Sequence, residues 1–349
     1  MGRTVTHVEP LGFVTDPLFL EHASPGHPER PARLAAILEQ LDRTGQRARM
    51  RELTPRAASD DELLAVHTPA ANERLDDAAS RGGDWLDPDT YVSPVSAFAA
   101  RRAAGATLVA TEAVLAGEVR AAFAAVRPPG HHATRERQMG FCLLNNVAVA
   151  AAAALDAGLE RVAIVDWDVH HGNGTQAIFE AEPRVFYAST HAAPFYPGTG
   201  AVSDTGEGAA RGTKVNIPLP AGTGDAGFVA AYEQAVLPAL DRFRPQLLLV
   251  SCGWDAHARD PLAPLAVSTA GYTAVARLVI EAAASLCEGQ LVVALEGGYD
   301  EHALAWCAST LSELLLDEEP TPDPQPTATA PEPDVTPILR AARTAIGLD

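Results

Sequence analysis

Cysteine is scarce in this chain of 349 residues. It has four thiols, Cys142, Cys252, Cys287 and Cys307, with no CxxC spacing, and each sits in an apolar run. That excludes a disulfide framework and points to reduced, buried thiols in a cytoplasmic protein. Long apolar runs are missing as well. No stretch approaches the roughly 18 uninterrupted apolar residues of a membrane span, and the N-terminus lacks the basic-then-apolar pattern of a secretory signal. Positive charge is under-represented, with 26 Lys and Arg against 45 Asp and Glu and a formal net charge of -19. A nucleic-acid backbone demands a basic face, so that partner is excluded. The acidity suits cationic ligands such as basic peptides or polyamines, or serves solubility alone. No internal repeat is visible.

With 47% hydrophobic and 20% charged residues, the chain has the composition of an ordinary globular protein. It is long enough for one large α/β domain or two smaller ones. Residues 1–30 are expected to be loop-rich, with a helix over 31–41 and another helical patch over 60–80. Turn residues crowd 82–90, which reads as a loop without regular structure. Ser93 as N-cap and Pro94 at the first helical position predict a helix running to Gly117. Thereafter strand, loop and helix alternate. Strands are predicted over 121–126, 162–165, 184–189, 247–251 and 291–295, and helices over 141–157 and 269–286. This alternation indicates a mainly parallel sheet with helices on both faces, whose ligands bind beyond the carboxyl ends of the strands. The polar clusters Arg127 through His132, Asp166 through Gly174, Thr190-His191, Cys252 through His257 and Glu296 through Tyr299 each fall at such an end. Residues 1–316 read as one catalytic domain. Residues 317–337, which hold seven prolines, read as an extended, poorly packed acidic linker. Residues 338–349 form a short helix or tail, the helical pattern itself covering 335–346.

The chemistry concentrates in Val162-Ala163-Ile164-Val165-Asp166-Trp167-Asp168-Val169-His170-His171-Gly172-Asn173-Gly174. Strand alternation would place Asp166, Asp168 and His170 on one face, where two carboxylates and an imidazole are costly to bury without a cation. A catalytic metal commonly takes three protein ligands and leaves one position open. Asp168 and His170 supply two. Asp255, at the end of another apolar strand, is the natural third, with His257 its competitor and Asp166, His171 and His191 further candidates. Oxygen and nitrogen ligands without thiolate fit Zn²⁺, and also Fe²⁺ or Co²⁺. The rigid lead-in Arg127-Pro128-Pro129-Gly130 presents the adjacent imidazoles of His131 and His132. One paired with a carboxylate such as Asp166 stays cationic. The other, paired with a neutral amide such as Asn173, can act as general base beside a metal-activated water. Tyr299, after Glu296-Gly297-Gly298, can donate to a developing oxyanion. His27, Glu29 and Arg30 read as an ion-pair network that pins a loop. Together these groups describe metal-assisted hydrolysis of an amide or ester.

These residues resemble the histone deacetylase superfamily, above all its class II-like bacterial amidohydrolases and the acetylpolyamine amidohydrolases. The resemblance rests on His27-Pro28-Glu29-Arg30-Pro31, Arg127 through His132, Gly140-Phe141-Cys142 with Asn145-Asn146, and Asp166 through Gly174. It continues in Pro197-Gly198-Thr199-Gly200, Gly253 through His257, Asp260-Pro261-Leu262 and Glu296 through Tyr299, in family order over residues 10–315. It implies the arginase/deacetylase fold, a single α/β domain around a mainly parallel sheet. It implies one zinc ion on Asp168, His170 and Asp255, with His132 as general base and acid, His131 as its electrostatic companion and Tyr299 as the carbonyl-polarising group. A potassium site would use Asp166, Asp168, His170, Ser189 and Thr190. Phe141 and Tyr196 would wall a substrate tunnel with Leu262 and Asp89 at its rim, Tyr196 standing where many relatives have phenylalanine. The apolar Leu262 favours N-acetyl-lysine or an uncharged acyl amide over an acetylpolyamine. The rivals are an acetylpolyamine or other small-amide hydrolase, an arginase-like binuclear hydrolase and a non-catalytic module that binds acylated ligands. The resemblance leaves the choice between zinc and iron, and the oligomeric state, open.

Overall fold

The computed structural model describes residues 10–327 and 331–349. Ten strands are present there: β1 (Leu11–Val14), β2 (Arg51–Glu52), β3 (Asp84–Asp87), β4 (Thr90–Val92), β5 (Ala121–Ala124), β6 (Val162–Asp166), β7 (Val185–Ala192), β8 (Lys214–Leu219), β9 (Leu247–Cys252) and β10 (Leu291–Leu295). Eight form one sheet in the order β2-β1-β5-β10-β9-β6-β7-β8, and every pairing in it is parallel. The central strands are apolar on both faces and buried throughout, as helices on both sides require. The mainly parallel α/β architecture expected from the sequence is therefore present. All four cysteines are free and buried. Among the described residues no helix is long and apolar enough to cross a membrane.

Local structure departs from expectation in several places. The loop-rich start lies outside the described residues over 1–9, but Leu11–Val14 is an inner strand of the sheet. The patch over 60–80 is two helices, Asp60–Leu64 and Pro69–Ser80, each with its own Ser or Thr cap. Most of residues 82–90, read as a loop without regular structure, belongs to a β3–β4 hairpin over 84–92 with a bulge between Trp85 and Asp87. The helix predicted from Ser93 begins at Ser96, whose side chain accepts from the Ser93 amide at 2.7 Å. The helix predicted from Phe141 begins at Asn146. Asn145 caps it by accepting from the Ala148 amide, and Phe141 itself has φ of 68°, outside any helix.

The described residues of the acidic, proline-rich segment, 317–327 and 331–337, are mostly exposed and carry no helix or strand before Thr336, and they are tied to the body at a few points. Thr321 bonds Glu313, Asp323 accepts from Thr269 at 2.8 Å, and Glu332 accepts from the amides of Ala226 and Gly227. The last helix, Thr336–Ala345, packs onto the body through Val335, Leu339, Ala342 and Ile346.

Candidate active site

Five neighbouring strands deliver the site, because parallel strands all end on one side of a sheet. From β5 come His131 and His132, from β6 Asp166 through Asn173, from β7 Ser189 and Thr190, from β9 Asp255, and from β10 Tyr299.

Strand alternation does not arrange Asp166, Asp168 and His170, because β6 ends at Asp166. Beyond it the chain folds through two side-chain turns. Asp166 Oδ1 accepts from the Asp168 amide at 3.2 Å and Asp168 Oδ1 from the His170 amide at 2.9 Å, the local bonding in which aspartate competes with strand geometry. As a result Asp166 turns away from the other two. His170 Nδ1 lies 3.0 Å from Asp168 Oδ1 and 3.2 Å from Asp255 Oδ2, and the three residues offer ligand atoms within 4.8 Å of one another. The remaining oxygens are tied to backbone amides: Asp168 Oδ2 to Gly297 at 2.8 Å and Asp255 Oδ1 to Val169 at 2.8 Å. Asp255 Oδ2 is sealed from solvent without a hydrogen-bond partner. An orphaned carboxylate oxygen beside a second carboxylate and an imidazole fits a divalent cation of the zinc type. Gly297 is needed here, since a Cβ on it would meet Asp168 Oδ2 at 2.5 Å and collide with Asp255. The other candidate ligands have their own partners. His257 meets Thr269 and the Arg259 amide, His171 meets Thr199 and Gln176, and His191 meets Ser189 and the Gly200 carbonyl.

The two adjacent histidines differ as their partners do. His131 Nδ1 lies 3.0 Å from Asp166 Oδ2. Burial works against its charge, but Asp168 and Asp166 outweigh it and hold the imidazole well above its ordinary value, so it is cationic. His132 Nδ1 donates to Asn173 Oδ1 at 2.7 Å. Burial, followed by the charges of His131 and His170, holds it well below its ordinary value. His132 is therefore neutral and its Nε2 carries a free lone pair. Burial also keeps the Tyr299 phenol protonated, well above its ordinary range.

Three supporting residues were not assigned from the sequence. The Tyr187 hydroxyl donates to Asp166 Oδ2 at 3.0 Å. An aromatic two positions before Ser189, hence on the same strand face, was the available signal. Glu296 accepts from the Gly130 amide at 2.6 Å and the His131 amide at 3.1 Å, and so fixes the loop carrying both histidines. Arg33 bonds the carbonyls of Glu296 and Gly298 and lies 4.9 Å from the centre of the Tyr299 ring. Its salt bridge to Glu29 at 2.8 Å is an i,i+4 pair, a spacing legible in the sequence. The expected His27–Glu29–Arg30 network is therefore revised. Glu29 pairs with Arg33 and Arg127, while Arg30 pairs with Glu301 at the surface.

Asp89, Phe141, Tyr196, Leu262 and Tyr299 line a cavity of about 200 Å³ whose floor holds His131, His132 and His170. Phe141 keeps its left-handed backbone by donating its amide to Thr90 Oγ1 at 3.1 Å. Gly140 before it has φ of 56°, and a Cβ there would meet His132 Cγ at 2.8 Å and Tyr196 Oη at 3.0 Å. Asp166 and Ser189 are register partners on β6 and β7. Their side chains bond His131 with Tyr187, and His191, respectively.

Residues 27–315 match the model of the histone deacetylase domain. The chain is 44% identical over 292 residues to a probable deacetylase of Archaeoglobus fulgidus, covering 82% of this chain and 81% of that one. It is 42% identical over 295 residues to a histone deacetylase-like amidohydrolase of Pseudomonas aeruginosa, covering 84% and 78%. The crystal structure of the HDA15 HD domain superposes with a TM-score of 0.90 at 37% identity, covering 97% of this chain and 94% of that one.

Proposed function

Because the chain belongs to the histone deacetylase family, we propose that it hydrolyses acyl amides, N-acetyl-lysine foremost, with one zinc ion on Asp168, His170 and Asp255. The observation that carries this reading is the ligand trio flanked by two adjacent histidines with unlike partners, His131 on the Asp166 carboxylate and His132 on the Asn173 amide oxygen. Zinc bound there supplies Lewis acidity towards the acyl oxygen and lowers the pKa of a water.

The chain's own residues do the rest. His132 Nε2 takes the proton of the attacking water and returns it to the departing amine, with Asn173 fixing the tautomer that leaves this nitrogen free. His131, held by Asp166, contributes a fixed positive charge close to the negative charge that develops. Tyr299 donates its phenolic proton to the developing oxyanion. Phe141 and Tyr196 exclude water from the stem of the acylated amine, Leu262 meets it at the lip, and Asp89 grips the substrate backbone at the rim. A potassium ion would draw on Asp166, Asp168, His170, Ser189 and Thr190 and stiffen the loop that holds the zinc ligands. An acylated lysine or amine is thus the partner.

Hydrolysis of an acetyl-lysine peptide by the zinc-loaded protein, with and without a hydroxamate chelator and alongside elemental analysis, tests this. Hydroxamate-sensitive turnover with zinc near one per chain is expected. Zinc without turnover of the peptide, but with turnover of acetylspermidine, would replace the lysine reading by the polyamine one. A metal count near two would point to a binuclear hydrolase.

A further inference from the structure

The cavity over the catalytic groups opens beside a second cleft of about 510 Å³. His27, Pro28 and Arg30 form one wall, Pro261 and Leu262 the other. Leu262 and Tyr299 line both the cleft and the cavity, so the two spaces are continuous across the Leu262 side chain. Leu262 is 37% exposed, one of four large apolar side chains so placed among the described residues.

Both walls are held in place. His27 accepts from the Glu29 amide at 3.1 Å and donates to the Asp89 carbonyl at 3.0 Å. Asp260 accepts from the Leu262 amide at 2.9 Å through one oxygen and from the Tyr299 amide at 2.7 Å through the other. The charges around the cleft cancel in pairs, Arg30 with Glu301 at 2.8 Å and Arg259 with Asp300 at 3.4 Å. The cleft's own lining therefore offers the apolar faces of Pro28, Pro261 and Leu262 and contains no carboxylate, whereas Asp89 lines the adjoining cavity.

We propose that this cleft takes the apolar side chain of a residue two positions from the acylated lysine in an extended peptide. The favoured substrate is then an acylated peptide or protein segment with a large aliphatic or aromatic residue at that position, not a free acylamine. This rests on the deacylase reading above. In an extended chain side chains alternate faces, and every second one returns to the same face about 6.6 Å on, so the side chain two residues from the acyl-lysine falls beside the Leu262 lip once the acyl-lysine stem fills the cavity. Apolar burial against preformed walls supplies affinity with little ordering cost.

The test compares three substrates with the zinc-loaded protein: a capped acetyl-lysine, an acetyl-lysine peptide with glycine two positions away on either side, and the same peptide with leucine at those positions. The expected kcat/KM for the leucine peptide exceeds that for the glycine peptide by about tenfold, chiefly through KM. Pro28→Glu and Pro261→Glu, from opposite walls, should each reduce that ratio towards one, with capped acetyl-lysine as the reference for general damage. Equal kcat/KM for the two peptides with the unaltered protein, or an unchanged ratio in both variants, would overturn the assignment. Absence of turnover for all three substrates would instead defeat the deacylase reading itself, and this assignment with it.

Discussion

Metal uptake by this site should expel a proton, and the geometry says which one. His170 Nδ1 stands between Asp168 and Asp255 at 3.0 and 3.2 Å. Burial lowers its pKa, but the hydrogen bond to Asp168 and the charges of both carboxylates prevail and raise it to about 10. Below that pH the imidazolium occupies the place of the cation, and a metal needs the same nitrogen unprotonated. Affinity for zinc should therefore rise about tenfold per pH unit from 6 to 9, or about 2.7 kcal/mol between pH 6 and 8. Asp255, raised to about 6 by burial and then by Asp168, adds a second proton at lower pH, so the slope should steepen below 6. Chelator competition at pH 6, 7, 8 and 9 measures the slope. Calorimetry in two buffers of different ionisation enthalpy counts the protons directly. Affinity independent of pH, or uptake without proton release, would refute the convergence of His170 Nδ1 with both carboxylates.

Tyr299→Phe should lower kcat by about 10²- to 10³-fold, the usual cost of losing an oxyanion donor, while zinc content by elemental analysis stays unchanged. Unaltered turnover would remove Tyr299 from the reaction. Leu262→Glu should shift the ratio of acetyl-lysine peptide to acetylspermidine turnover towards the polyamine, and a constant ratio would show that the lip does not select. His67 donates to the Thr134 carbonyl and accepts from the Asn145 amide, and burial lowers its pKa to about 4. The unfolded chain therefore binds this proton first. The stability His67 confers is complete above pH 6.5 and is lost as pH falls from 6.5 towards 4. Between pH 7 and 4 the unaltered protein should lose about 3 kcal/mol more than His67→Gln in urea denaturation. Parallel losses would deny that His67 is buried neutral.

The parallel sheet was legible because its cause is local. Runs such as Leu247–Val250 and Leu291–Leu295 are apolar at every position, as strands covered on both faces are. Each run ends in glycine and polar residues, so the side of the sheet that holds the site was legible too. The hairpin over 84–92 was not. Its turn-forming residues look irregular alone, and the strands exist through their pairing and through packing around Tyr91 and Trp85. The anchoring of the acidic tail was not legible for a similar reason. Proline-rich composition forecasts no core, yet Asp323 and Glu332 find specific partners on Thr269, Ala226 and Gly227.

By itself the sequence determined which residue types stand at strand ends and so the class of chemistry available to them. Only the tertiary structure decided their grouping. Asp168 meets Asp255, not His257, because the chain leaves β6 in side-chain turns and β9 carries Asp255 to the same point. His131 and His132 separate into charged and neutral because Asp166 and Asn173, more than thirty residues away, each reach one of them. Apolarity and turn preference are properties of a segment. The convergence of ligands and the division of protonation states depend on strand order and on the dielectric of a closed interior, which exist only once distant segments are packed together.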